Sequence, residues 1–211
     1  MAVPSVLTVP MTRTHIVGKE THLMHFDDLL MIRRSIRNFQ DKDVPLELIK
    51  KTIKDSCLAP SSGNGQPWRF VIVKNREWIK RLSDESKKNF LSYLNENPDA
   101  PIRRYEKTLK DKKFNVFYNA PCLVYVLGPR SVHSVHVDCA LAACYFMFSA
   151  AAQGLGSCWV GLGANIRNPD TCRAIGIPED CSIVAPIVLG YPQKVPPPPP
   201  RNEPRILKVV L

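Results

Sequence analysis

No GxGxxG motif occurs in these 211 residues, so the glycine fingerprint of a Rossmann nucleotide site is missing. No two of the seven cysteines form a CxxC pair. That spacing speaks against a zinc or iron–sulfur centre, and no metal ligands are assigned. Cys122, Cys139, Cys144 and Cys181 lie inside apolar runs, where a reduced cysteine packs as a small hydrophobe, a usage that fits a reducing compartment. The longest apolar stretch, Cys139 to Ala152, falls short of the roughly 20 residues that a membrane-spanning helix needs. Residues Met1 to Pro10 carry two prolines and no basic lead-in, unlike a secretory leader. The expectation is a soluble cytoplasmic protein with no membrane partner.

Acid is also in short supply. Nineteen acidic residues face 29 basic ones, a net charge of +10, which favours anionic partners. The basic residues are dispersed, with small clusters at Arg33-Arg34-Ser35-Ile36-Arg37, Lys87-Lys88, Arg103-Arg104 and Lys110 to Lys113. A nucleic-acid surface gathers its cations on one element among aromatics, so nucleic acid is not the expected partner. Hydrophobic residues make up 45% and charged residues 23%, as in an ordinary globular domain.

The chain divides into an extended N-terminal arm over 1–24, one folded domain over 25–192 and a proline-rich arm over 193–211. A first helix starts near Phe26, with Asp27 and Asp28 in the turn where the helix dipole favours them. Phe26, Leu29 and Leu30 mark its buried face, and it ends near Arg33–Arg37. Pro45 opens a second helix, whose apolar positions Leu46, Ile49, Ile53 and Cys57 recur at helical spacing until Pro60 stops it. Strands are expected from Trp68 to Val73, Leu123 to Leu127, Ser157 to Val160 and Ile183 to Leu189. The last is weakened by Pro186, which cannot donate to a ladder. Residues 77–113 read as one or two charged helices broken at Pro98 and Pro101, able to form a lid. Val137 to Leu155 is a helix apolar nearly all round, which must be buried in a core or an interface. The five prolines Pro196 to Pro200 favour an extended polyproline II form, either a ligand for an SH3-like module or, as preferred here, a stiff arm reaching another subunit.

Two segments carry candidate chemistry. Arg33 and Arg37 stand four apart, and their guanidinium groups can make charge-assisted bonds to a phosphate, with Ser35 as a compact donor. The plain alternative is dipole complementation at a helix end. Ala59-Pro60-Ser61-Ser62-Gly63-Asn64-Gly65-Gln66-Pro67-Trp68 combines a helix stop, small hydroxyls, two glycines and two amides. Small residues let backbone approach a flat ligand, and Asn64 and Gln66 can pair with its heteroatoms, though these are also ordinary turn residues.

Taken together and in this order, Arg33 to Phe39 and Ala59 to Trp68 resemble the paired signature of the nitroreductase family. Gly154 to Gly161, Leu189-Gly190-Tyr191-Pro192 and the later Arg201 resemble its central and C-terminal segments. The resemblance runs from about Phe26 to the C-terminus. It implies an α+β fold, with a mixed central β-sheet flanked by helices, in an intertwined homodimer carrying two interfacial FMN sites. By that similarity Arg33, Arg34, Ser35 and Arg201 hold the FMN phosphate, Arg205 being a rival to Arg201. Arg37 lies on the N1/O2 side of the ring, where its charge stabilises reduced flavin. Pro60, Ser61, Ser62, Asn64 and Gln66 approach the flavin largely from the opposite subunit, and Val160 and Gly161 cover the ring. The implied activity is ping-pong hydride transfer from NAD(P)H, through flavin N5, to a small acceptor such as a nitroaromatic or quinone. No protein side chain need be catalytic, because the cofactor supplies the chemistry. Family members with dehalogenase or dehydrogenase activity, and a flavin-storage role with little turnover, remain alternatives.

Overall fold

The computed structural model describes residues 25–211, and the expected arm over 1–24 lies outside them. Four strands form one sheet in the order β1-β2-β4-β3: β1 (Arg69–Val73), β2 (Cys122–Pro129), β3 (Gly156–Trp159) and β4 (Cys181–Gly190). Every ladder between them is antiparallel. The parallel element of the expected mixed sheet is an isolated bridge, Ser35 to Ser157, along the outer edge of β3.

Successive side chains of a strand point to opposite faces, and β2 is buried on both. Cys122, Val124 and Val126 face a cluster with Ala142, Ala143 and Phe146 of α5 (Val135–Ala152) and Ile49 of α2 (Leu46–Ser56). Leu123, Tyr125 and Leu127 face a second cluster with Ile79 and Leu82 of α3 (Arg76–Glu96), and with Val116 and Phe117. The domain is thus helix–sheet–helix, a sheet sandwiched between two apolar layers. Burial pushes the Cys122 thiol up to about 12 and that of Cys139 to about 11, so both are neutral core groups. Cys158 and Cys181 are buried too, whereas Cys144 is only half-buried.

β4 runs through Pro186 despite the missing donor. A register shift opposite Val126/Leu127 lies beside it, and β3 ends opposite Ile187. Proline therefore sits at the limit of the β3 ladder, next to an irregularity, where losing an N–H costs least. Its carbonyl still accepts the Val160 N–H at 2.8 Å. A helix not anticipated from the sequence, α6 (Pro169–Ile175), is capped by Asn168, whose side chain accepts the Asp170 and Thr171 N–H groups. Gly176, at φ 81°, ends it.

Residues 76–110 form α3, a 3₁₀ turn over Pro101–Tyr105 and α4 (Glu106–Lys110), breaking where the prolines predicted. α5 begins two residues earlier and ends three residues earlier than expected. Gly154, at φ 72°, reverses the chain, and the Leu155 N–H returns to the Ala150 carbonyl at 2.9 Å. By length and composition α5 would pass for a membrane span, but its Ala142, Ala143, Phe146 and Ala150 pack on the sheet.

One expectation is overturned. Helix α1 (Phe26–Ile32) buries none of its residues: Phe26 is 63% and Leu30 48% exposed, and Leu29 is half-buried. It meets α5 with Phe26 set 6.0 Å from Phe148, and among the described residues its apolar side is left largely exposed.

The strip after α1 lies directly on β3. Ile36 donates its N–H to the Ser157 carbonyl at 3.0 Å, and a Cβ on Gly156 would come within 2.7 Å of Ile36. Gly156→Ala is expected to force the strip outward and cost about 1–3 kcal/mol, the usual penalty of overpacking. An unchanged urea midpoint would show that the strip yields freely.

Candidate active site

The strip from Arg33 to Arg37 leaves the end of α1 in an extended form, the Arg33 backbone having φ −61° and ψ 123°. Arg34 Nη1 donates back to the Arg33 carbonyl at 2.6 Å. Arg33, Arg34, Ser35 and Arg37 form one wall of a cavity of about 390 Å³. Pro196, Pro197, Pro199 and Arg201 form the other. Arg201 therefore joins the basic cluster across more than 160 residues of sequence, and Arg205 does not line the cavity. No acidic residue lines it either, and none of its four arginines is ion-paired among the described residues. Four converging guanidinium groups repel one another unless an anion is shared between them.

Cys158 is 2% exposed beside this cluster. Burial pushes its thiol up, against the pull of Arg37 and a hydrogen bond with Ser35, so it is no ready nucleophile. The Arg37 guanidinium lies 5.7 Å from the centroid of the Tyr118 ring, a cation–π distance. Tyr118 and Asn119 both take left-handed backbone, at φ 55° and 53°, uncommon for side chains of this size. Val160 is buried, while Gly161 opens onto free space where a Cβ would meet nothing within 4 Å.

The second motif stands elsewhere. Pro60, Ser62, Asn64 and Gln66 are exposed and Ser61 half-buried, with a 3₁₀ turn over Ser62–Asn64. Asn64 and Gln66 hold φ of 56° and 44°, local strain of a kind that clusters at functional sites. The loop satisfies itself: Ser61 Oγ accepts the Gln66 N–H at 3.0 Å, and Gln66 Nε2 donates to Asn64 Oδ1 at 3.0 Å. It is tied down by Asp138, 2% exposed in the first turn of α5. One carboxylate oxygen accepts the Ser62 N–H at 3.0 Å and the other the Ser134 hydroxyl at 2.7 Å.

The Arg33–Ile36 strip shares an apolar cavity with Ala151 and Gly154, at the other end of α5. At 1.5 Å per residue, Asp138 and Ala151 are about 20 Å apart along the helix. Within one chain, then, the structure gathers Arg33, Arg34, Ser35, Arg37 and Arg201 and leaves Pro60 to Gln66 well away.

Sequence reasoning missed Tyr118, Asp138 and the proline wall. Asp138 left a signal, as the single acid in an 18-residue apolar helix that must find partners when buried. Tyr118 left none.

Residues 30–191 match the model of the nitroreductase family. An Archaeoglobus fulgidus protein provisionally named NADH dehydrogenase/NAD(P)H nitroreductase is 30% identical over 166 residues, covering 78% of this chain and 84% of its own. A nitroreductase with bound FMN from Bacteroides fragilis superposes with a TM-score of 0.72 at 21% identity, covering 87% of this chain and 97% of its own. An iodotyrosine deiodinase bound to FMN and 3-iodo-L-tyrosine superposes at 0.67 with 26% identity, covering 88% and 99%.

Asp138→Ala leaves the Ser62 N–H and the Ser134 hydroxyl without their partner. The expected cost is about 1–3 kcal/mol, with faster hydrogen exchange confined to residues 61–66 and the start of α5. Unaltered exchange there would mean that the loop holds its shape without the carboxylate.

Proposed function

This chain belongs to the nitroreductase family, and on that premise we propose that it is a homodimeric FMN-dependent oxidoreductase passing hydride from NAD(P)H to a small electron-poor acceptor. The observation that carries the reading is the cavity walled by Arg33, Arg34, Arg37 and Arg201 with no acid in its lining. That donor set fits a phosphate monoester, which carries −1.5 to −2 charges at about pH 7 and three acceptor oxygens. FMN, when bound, supplies a two-electron carrier that accepts hydride from one partner and delivers it to the next. The chain's own residues bind and orient it. Arg33, Arg34, Ser35 and Arg201 take the phosphate. Arg37, kept beside Tyr118, places a positive charge toward the pyrimidine edge, where negative charge gathers on reduction. Val160 and Gly161 cover the ring near its reactive edge. One pocket serving reductant and acceptor in turn gives ping-pong kinetics.

Pro60, Ser61, Ser62, Asn64 and Gln66 complete the site from the other subunit. The roughly 20 Å of α5 between the two motifs keeps them from meeting within one chain, whereas a two-fold axis beside α5 would bring each loop to the partner's cavity. The surface for such a contact is present. Val137, Leu141 and Tyr145 form an exposed stripe four residues apart on α5, continued by Phe26, Leu30 and Met31 of α1. Residues 25–192 act as the flavin-binding domain and 193–211 as an arm, whose Pro196–Arg201 stretch walls the cavity of its own chain and whose end packs on the partner. Ile206, Leu207 and Val210 are at least 75% exposed in the single chain, so burying them drives that docking. Seven unpaired cysteines suit a reducing compartment, in keeping with a cytoplasmic enzyme.

Reductive dehalogenation is the second reading, favoured by the 26% identity to the iodotyrosine deiodinase over 88% of this chain. Iodide release from 3-iodotyrosine would distinguish it.

Purified protein loaded with FMN is expected to show flavin absorbance that NADH or NADPH bleaches and a quinone restores. Arg33→Ala should retain flavin at least ten-fold more weakly, since a hydrogen bond to a charged group is worth about 1.5–3 kcal/mol. No FMN binding by the unmodified protein would sink the reading, and bleaching without reoxidation would point to storage.

Ending the chain after Tyr191 should weaken the dimer in sedimentation and release flavin. A truncated chain with an unchanged dimer constant would remove the arm from the interface.

A further inference from the structure

A second concavity opens where α3 begins. It encloses about 360 Å³ between the first turns of α3 and the segment from Lys112 to Ala120. Its cations are Arg76, Lys80, Lys112 and Lys113, against one lining acid, Asp84. These charges are not equivalent. Arg76 Nη2 donates to Asp41 at 2.6 Å, and Lys80 Nζ to Asp84 at 2.9 Å. Asp84 is shared further with Lys87 at 3.4 Å. Lys112 and Lys113 form no ion pair among the described residues, so the uncompensated charge is theirs. Asn115 and Asn119 add amides to the same wall. Asn115 Oδ1 accepts the Phe117 N–H at 2.8 Å, which leaves its NH₂ to donate.

This basic wall is held in place. Lys87, 7% exposed, donates from Nζ to the Phe114 carbonyl at 2.8 Å and the Asp111 carbonyl at 3.3 Å. Ser83, also buried, accepts the Val116 N–H at 2.9 Å. The wall also adjoins the site already described. Tyr118, whose ring faces Arg37, is followed directly by Asn119 of the concavity. Asp41, which holds Arg76, stands four residues beyond Arg37. Tyr118 and Asn119 thus link the arginine cavity, through Arg37, to the segment that walls this one.

We propose that this concavity receives the 2′-phosphate of NADPH, with Lys112 and Lys113 as its recognition residues and Asn115 and Asn119 as further donors. The inference rests on the oxidoreductase reading above and adds to it the choice of reductant. NADPH differs from NADH only in that phosphate, which needs cations and donors. NADH presents a ribose hydroxyl there, which a carboxylate recognises. The one acid lining the concavity is already committed to Lys80 and Lys87, so the lining favours the phosphate.

The test compares the FMN-loaded protein with its Lys112→Glu/Lys113→Glu variant. In the unmodified protein kcat/KM should favour NADPH over NADH by about ten-fold or more, as expected for charge-assisted contacts to one phosphate. The variant should lose that ratio, mostly through KM, and keep its flavin. Equal use of the two nucleotides by the unmodified protein, or a parallel loss of both in the variant, would overturn the proposal. Calorimetry with 2′,5′-ADP, 5′-ADP and inorganic phosphate reads the site without turnover. Binding of 2′,5′-ADP alone, abolished in the variant, supports the assignment even if neither nucleotide reduces the flavin, an outcome that would count against the oxidoreductase reading instead. Equal binding of all three would make this a general anion site and overturn the 2′-phosphate assignment.

Discussion

Helix α5 is the constraint on which the rest of the structure depends. One side of it, through Ala142, Ala143, Phe146 and Ala150, packs on the sheet. Its first turn holds the Ser61–Gln66 loop through Asp138, and its far end lies beside the Arg33–Ile36 strip. The length of this one rod fixes the separation of the two signature segments. Its other side carries the exposed Val137, Leu141 and Tyr145, the face that the proposed dimer would bury. An interior apolar helix needs cover all round, and among the described residues these three are left exposed.

The electrostatics follow the same logic. Some of the surface cations are spent locally, Lys51 on Asp55 and Lys110 on Glu106 for example. Exposed pairs of this kind contribute little stability, but they cancel field. At the two concavities cancellation is withheld: Arg33, Arg34, Arg37 and Arg201 line one without an acid, and Lys112 and Lys113 line the other unpaired. Part of the net charge of +10 is thus gathered at two concavities that could each take an anion. The strained loop complements this: Asn64 and Gln66 take left-handed backbone, and Ser61 and Asp138 accept the Gln66 and Ser62 N–H groups beside them.

Several features were legible in advance because they depend on neighbours in sequence. Pro45 and Pro60 bound α2, Pro98 and Pro101 break the charged helices, and β2 reads as a wholly apolar run buried on both faces. Helix α6 was equally legible and was missed: Asn168, Pro169 and Gly176 are a local cap, first position and stop. The buried face assigned to α1 failed for another reason. Hydrophobic periodicity shows which residues want cover without showing whether the same chain supplies it. Pro186 misleads in the opposite direction, because its penalty depends on where the neighbouring ladder ends and a single strand's sequence does not contain that.

By itself the sequence determined the order of the elements, the core thiols and the two signature segments, since caps, prolines and alternation act over a few residues. Tertiary structure alone decided that Arg201, and not Arg205, closes the arginine cavity, because the register of the proline run against the strip is set by packing. It also decided that Tyr118 meets Arg37 and that Lys112 and Lys113 line a concavity beside it. Those contacts join residues far apart in the chain through buried anchors such as Ser83 and Lys87. Only a packed core can set such distances.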